Sequence, residues 1–91
     1  LAPGVVVEAG ATVRHAVILE NVVVKAGADV QTAIVDRHAT IGSGARVGEA
    51  FAGDRPGPDD IALVGQYASV HGNRRVSAGE TVAAVDPRKR A

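Results

Sequence analysis

Large aliphatic residues recur along the chain in steps of five or six: Val7, Val13 and Ile18, then Val24, Val30 and Val35, then Ile41 and Val47. Each group repeats its predecessor at a constant interval of seventeen positions, as from Val7 to Val24 to Ile41, and the small residues keep that interval. Gly10, Gly27 and Gly44 align, as do Ala11, Ala28 and Ala45, and Ala16, Ala33 and Ala50. Self-similarity at a fixed period means stacked units, because each unit buries its apolar side against its neighbours. Steps this short do not suit a helix. The segments are rich in Val and Ile and bounded by Gly, Asn or Asp, so each is predicted as a short strand ending in a turn. Three sides per repeat, each turn of the chain returning above the last, predict a triangular parallel β-helix. Aliphatics fill the prism, alanine fits where the sides converge, and glycine permits corners with positive φ. The hexapeptide form of the repeat is met by Val7-Glu8 with Ala11, Val35-Asp36 with Ala39, Ile41-Gly42 with Ala45 and Val64-Gly65 with Ala68.

Charges test the register independently. At the same interval Glu8 falls over Lys25, Glu20 over Arg37 and Asp29 over Arg46, each time with opposite sign. An exposed pair contributes only roughly 0–1 kcal/mol, so the value of these pairs lies in the register they imply.

The pattern divides a single β-helix domain into regular coils over residues 1–52, an exposed loop over 53–60, a final coil and cap over 61–86, and a tail over 87–91. Ala50 and Phe51 are read as continuing the columns of Ala16 and Ala33 and of Val17 and Ile34. The loop prediction rests on the prolines, glycines and charges of Gly53-Asp54-Arg55-Pro56-Gly57-Pro58-Asp59-Asp60. Beyond it Val64, Val70, Val76 and Val82 are spaced by six, and two phases stay open. Val64 falls on the column of Val47, one repeat interval earlier, or the loop replaces one whole side. Asp86-Pro87 ends the pattern because proline cannot donate to a ladder. The whole amounts to roughly four to five coils with one exposed loop. Both ends of such a stack expose unpaired strand backbone and an apolar cross-section, which native proteins cover. Val82 to Pro87 is expected to fold over the last coil. Nothing caps the first, and Leu1 is already in register in a chain without methionine. The expectation is therefore a piece of a longer protein, with an upstream domain or partner subunit against its N-terminal end.

Composition narrows the classes. Ten basic and ten acidic residues balance to zero, which argues against a nucleic-acid footprint or an anionic-membrane surface. The Arg88-Lys89-Arg90 cluster after Pro87 is read as a solvated terminus. Without cysteine there is no disulfide frame, thiolate metal site or thiol nucleophile. No apolar run approaches the ~20 residues needed to span a bilayer and no leader opens the chain. A cytoplasmic address is the expectation.

Candidate chemistry is sparse. His15, His38 and His71 raise the possibility of zinc, but reduced by whole coils His15 and His38 fall on different corners, and solvated histidines are the preferred reading. A histidine acting as general base in acyl transfer from coenzyme A is the runner-up function, with a stand-alone scaffold third. Gly42-Ser43-Gly44 resembles a phosphate loop only faintly, since Gly44 is explained by its column. The Asp54, Asp59 and Asp60 group reads as loop solvation. Arg14, Arg37, Arg46, Arg74 and Arg75 would make an anion site only if the fold gathered them. No residue is assigned a catalytic, metal or cofactor role, and no effector-binding residue is assigned.

The stretch Val5-Val6-Val7-Glu8-Ala9-Gly10-Ala11-Thr12-Val13-Arg14, with Ala16-Val17-Ile18, Val22-Val23-Val24, Gly27-Ala28, Ala33-Ile34-Val35-Asp36 and Ile41-Gly42, resembles the C-terminal β-helix domain of bacterial glucose-1-phosphate adenylyltransferase. The resemblance is close over residues 1–48. It is looser over Ile61-Ala62-Leu63-Val64-Gly65 and Ala78-Gly79-Glu80-Thr81-Val82. It implies a left-handed helix serving oligomerisation and regulation in an enzyme that makes ADP-glucose and pyrophosphate from ATP and glucose 1-phosphate for glycogen synthesis. Magnesium, ATP and catalysis would belong to an upstream Rossmann-like domain. A homo-oligomer and a sugar-phosphate effector at the domain junction are further implications. This chain itself would then be non-catalytic.

Overall fold

The computed structural model describes residues 2–50, 53, 55 and 57–84. Its strands are β1 (Val6–Val7), β2 (Thr12–Ile18), β3 (Val23–Val24), β4 (Asp29–Val35), β5 (Thr40–Ile41), β6 (Arg46–Val47), β7 (Ala62–Val64), β8 (Ser69–Val70), β9 (Arg75–Val76) and β10 (Thr81–Val82). Every pairing is parallel. The first face stacks as β1-β3-β5-β8. The longer strands β2 and β4 run through a corner and serve two faces each. The start of β4 pairs with β6, and β6 with β9, making the second face. The end of β4 pairs with β7, and β7 with β10, making the third. Three faces in four coils form a parallel β-helix.

Inward columns explain why the sequence adopts this shape. Val24, Ile41 and Val70 line the first face, Val30, Val47 and Val76 the second, and Ile18, Val35, Val64 and Val82 the third, all buried. Each fully buried valine contributes about 1.5–3 kcal/mol over its exposed state. Ala28 and Ala45 occupy one convergence, Ala33 and Ala62 another, and Ala39 and Ala68 a third. Corners need left-handed backbone. Gly10, Gly27 and Gly44 supply it at one edge and Asn73 (φ 62°) in the last coil; Gly4, Asn21, His38 and Tyr67 supply it at another.

The regular step ends at Val47. Ala33 pairs with Ala62 and Ile34 with Leu63, so Ala50 does not continue the alanine column, and Phe51 lies outside the described residues. Val64 pairs with Val35, while the partner of Val47 is Val76. Neither phase left open by the sequence is therefore adopted. The insertion lengthens one corner and keeps all three sides, as the Ala33 to Ala62 pairing requires. Gly48 (φ 79°) starts the departure, where any side chain would run into the Gln31 carbonyl. A 3-10 turn over Pro58–Asp60 brings the chain back, with the Gly57 amide donating to the Asp60 carboxylate at 2.9 Å. The spacing of Val47 and Val64 was a coincidence of loop length.

The predicted charge columns are in register, Asp29 opposite Arg46, yet the three pairs are not closed as ion pairs among the described residues. Glu8 Oε1 instead accepts the Ala26 amide at 3.0 Å, a corner donor already in place where a lysine would have to be immobilised. The last coil carries an ion pair that the repeat does not suggest. Arg74 stands where Ala28 and Ala45 stand below it, and Glu80 where Ala33 and Ala62 do. Arg74 Nη2 donates to Glu80 Oε2 at 2.8 Å. Val82 ends β10. The remainder of the expected cap, Val85 to Pro87, and the tail with Arg88-Lys89-Arg90 lie outside the described residues, as does Asp54.

Candidate functional site

A β-helix displays every second side chain, so its candidate sites are outward columns and corners. The three histidines are dispersed. His15 shares a corner column with Thr32. His38 lies on the column of Gly4, Asn21 and Tyr67, and His71 on that of Glu8, Lys25 and Gly42. Among the described residues no three His, Asp or Glu side chains converge as a metal would require. Gly44 (φ 70°) is a corner, and a Cβ on Gly42 would come within 2.6 Å of the Gly72 amide nitrogen, so the Gly42-Ser43-Gly44 glycines serve turning and close stacking. Asp60 is occupied in the 3-10 turn, and Asp59 is exposed.

Three surface assemblies remain. On the third face Val17, Ile34 and Leu63 form an outward apolar ladder, Val17 being 54% exposed and Leu63 39%. Beside it a largely apolar cavity of about 210 Å³ is lined by His15, Val17, Thr32, Ala33, Ile34 and Ile61. On a corner the rings of His38 and Tyr67 stack at 4.8 Å with 8° between their planes. On the second face Arg46 and Arg75 are ladder partners at the mouth of a groove of about 340 Å³, with Gln31, Gly48, Glu49, Ala50 and Ser77. Of the five arginines considered together in the sequence, the fold thus gathers Arg46 and Arg75 and separates the other three. Arg74 is paired with Glu80, Arg14 faces outward beside Gln31 in the first coil, and Arg37 sits at the corner before His38.

The stacked ring pair and the Arg46–Arg75 neighbourhood escaped sequence reasoning for one reason. Both span the insertion, across which the coil interval of the first three coils no longer holds. The available signal was the inward column of the first face, which passes from Ile41 to Val70.

Glu80 is the titratable group whose environment is distinctive. The Ser77 amide, donating to Oε1 at 3.0 Å, lowers its pKa most, and Arg74 adds to the effect through its hydrogen bond and charge, while desolvation opposes both.

The family model described as "GlmU-like, C-terminal hexapeptide" matches residues 1–57. The chain belongs to that family. Comparisons with curated proteins and with solved structures found no match. Family membership agrees with the parallel, almost entirely β architecture, and it leaves two functional classes in view: the C-terminal domain of a sugar nucleotidyltransferase and an acyltransferase-like β-helix. The match ends within the insertion, where the regular register is lost.

Proposed function

We propose that this β-helix is the C-terminal oligomerisation and regulatory domain of a sugar nucleotidyltransferase, and specifically of glucose-1-phosphate adenylyltransferase. In this reading ATP, magnesium and glucose 1-phosphate are handled by another domain, in a cytoplasmic homo-oligomer, and no residue of this chain takes part in the chemistry. The observation that carries it is the combination of a GlmU-like hexapeptide repeat with exposed apolar surface. Val6, Val17 and Leu63 are exposed on the outside of the prism and Val7 at the end of its inward column, which suits a stack packed against further protein.

The test is turnover of ATP and glucose 1-phosphate to pyrophosphate by the full-length protein, with the 91-residue chain alongside. Activity in the full-length protein alone is the expected result. Inactivity of both, with coenzyme A binding by the chain, would replace this reading by the acyltransferase one.

A further inference from the structure

Thr32 departs from the repeat in its chemistry, its backbone and its bonding. Among the described residues it is the one buried polar residue, 5% exposed. It is β-branched, yet its φ is 48°, a left-handed conformation that a branched side chain adopts only under strain. The corner demands such backbone, as at His15 in the coil below, but glycine or asparagine meets that demand with less strain elsewhere in the stack. Among the described residues the Thr32 hydroxyl makes no hydrogen bond. A strained backbone and a buried hydroxyl without a partner each cost stability, and their coincidence at one residue points to a role beyond packing.

The surroundings show what that hydroxyl faces. The pairing of Ala33 with Ala16 and with Ala62 places Thr32 between His15 and Ile61 in one corner column. The outward ladder of Val17, Ile34 and Leu63 runs parallel to it, and only small alanines lie between the two. The trough this leaves is the cavity of about 210 Å³ on the third face, with His15, Thr32 and Ile61 on one side, Val17 and Ile34 on the other and Ala33 between. Its lining is apolar except for the Thr32 hydroxyl and the exposed imidazole of His15. No carboxylate, lysine or arginine lines it. Asp59 and Asp60 precede Ile61 outside the cavity, where Asp60 accepts the Gly57 amide, and Arg14 lies beside Gln31 on the second face.

We propose that this cavity binds a small neutral molecule with an aromatic or compact aliphatic body and a single hydroxyl, of the size of phenol. An apolar cavity of about 150 Å³ inside a protein takes up benzene, so a body of that size fits here. The ligand hydroxyl supplies the hydrogen bond that Thr32 lacks, as donor or as acceptor, because a threonine hydroxyl serves as both. An ionised ligand is disfavoured, since neither a carboxylate nor a lysine or arginine lines the cavity to offset its desolvation. The site does not rest on the nucleotidyltransferase reading, because it is detected by direct binding and not by turnover.

The experiment is an amide-shift titration of the full chain with phenol, and in parallel with toluene and with benzoate. Phenol is expected to shift Thr32, Ala33, Ile34 and Ile61 saturably and to bind about tenfold more tightly than toluene, a ratio equivalent to about 1.4 kcal/mol. In Thr32→Val, which keeps the branched shape and loses the hydroxyl, phenol and toluene should bind alike. That variant should melt at or above the parent, because it removes a buried hydroxyl that has no partner. Thr40→Val, which removes a hydroxyl from the outward column of the first face, should keep the preference for phenol. Should Thr32→Val not fold, the ratio of phenol to toluene in the parent and the position of the shifts carry the test. Equal binding of phenol and toluene by the parent, tighter binding of benzoate, or shifts confined to other residues would overturn the proposal. So would shifts of the same amides with protein concentration alone, which would mean that a second copy fills the trough.

Discussion

Val13 and Val76 belong to the same inward column, yet Val13 in the first coil is only partly buried whereas Val76 in the last is fully buried. The same contrast holds on the first face, where Val7 is 38% exposed and Val70 is 2%. The two ends of the prism are thus unlike. At the last coil the alanine columns give way to Arg74 and Glu80, whose long side chains meet where Ala45 and Ala62 end. At the first coil the alanines continue as Ala11 and Ala16, and among the described residues Val7 stays 38% exposed and Val13 only partly buried. Small residues at the convergences let another coil stack; a charged pair in their place halts stacking, because burying it would require desolvating both ions.

The largest expected effect comes from the middle of the stack. Val30→Asp should unfold the central coils, since an unpaired buried carboxylate costs several kcal/mol, whereas Val7→Asp at the open end should cost the chain less than about 1 kcal/mol. Thermal melts of the two variants decide this, and equal losses would mean that the first coil is as closed as the second. Next in size is Val76→Ala against Val13→Ala. The first removes fully buried methyl groups and should cost roughly 2 kcal/mol; the second should cost clearly less by urea denaturation.

Gly10→Ala should cost about 1 kcal/mol through its left-handed backbone alone, since the nearest atom to the added Cβ is at a comfortable 3.6 Å. Gly42→Ala adds contacts at 2.6 and 2.7 Å to backbone atoms of the last coil and should be worse by the same denaturation measurement. A reversal would show that the last coil is the looser end.

The smallest effect is pH-dependent. The folded-state pKa of Glu80 is depressed, chiefly by the Ser77 amide and then by Arg74, so its contribution is fully present above the ordinary carboxylate value and is lost as pH falls through the folded value. Glu80→Gln should therefore melt below the parent at neutral pH, with the gap closing in acid. A gap that is constant with pH would separate the cap from the charge of Glu80.

The inward columns up to Val47 were legible from chemistry alone. A constant period aligning Val with Val and Ala with Ala has few physical readings, and parallel pairing of Val13 with Val30 and of Val30 with Val47 realises the one predicted. What followed Gly48 was not legible, because a solvated corner tolerates residues without signalling how many it adds, and loop length costs only slowly rising entropy. The same opacity hid the groove. Arg46 and Arg75 are far apart in the chain and become neighbours only through a corner whose length no local pattern specifies. Tyr67, a residue of the final coil that the sequence does not single out, meets the ring of His38 by the same route.

By itself the sequence determined the unit: short Val- and Ile-rich sides, alanine at the convergences, glycine or asparagine at the left-handed corners, and hence a stack of coils. Those choices are local, since each follows from the side-chain size and backbone freedom of a few adjacent residues. The tertiary structure decided which units become neighbours across the insertion, and with that the Arg46–Arg75 groove and the His38–Tyr67 stack, and it decided the Arg74–Glu80 ion pair in the last coil. These are properties of contact between coils, and contact depends on a register that the ladder of backbone hydrogen bonds sets only once the inserted corner has closed.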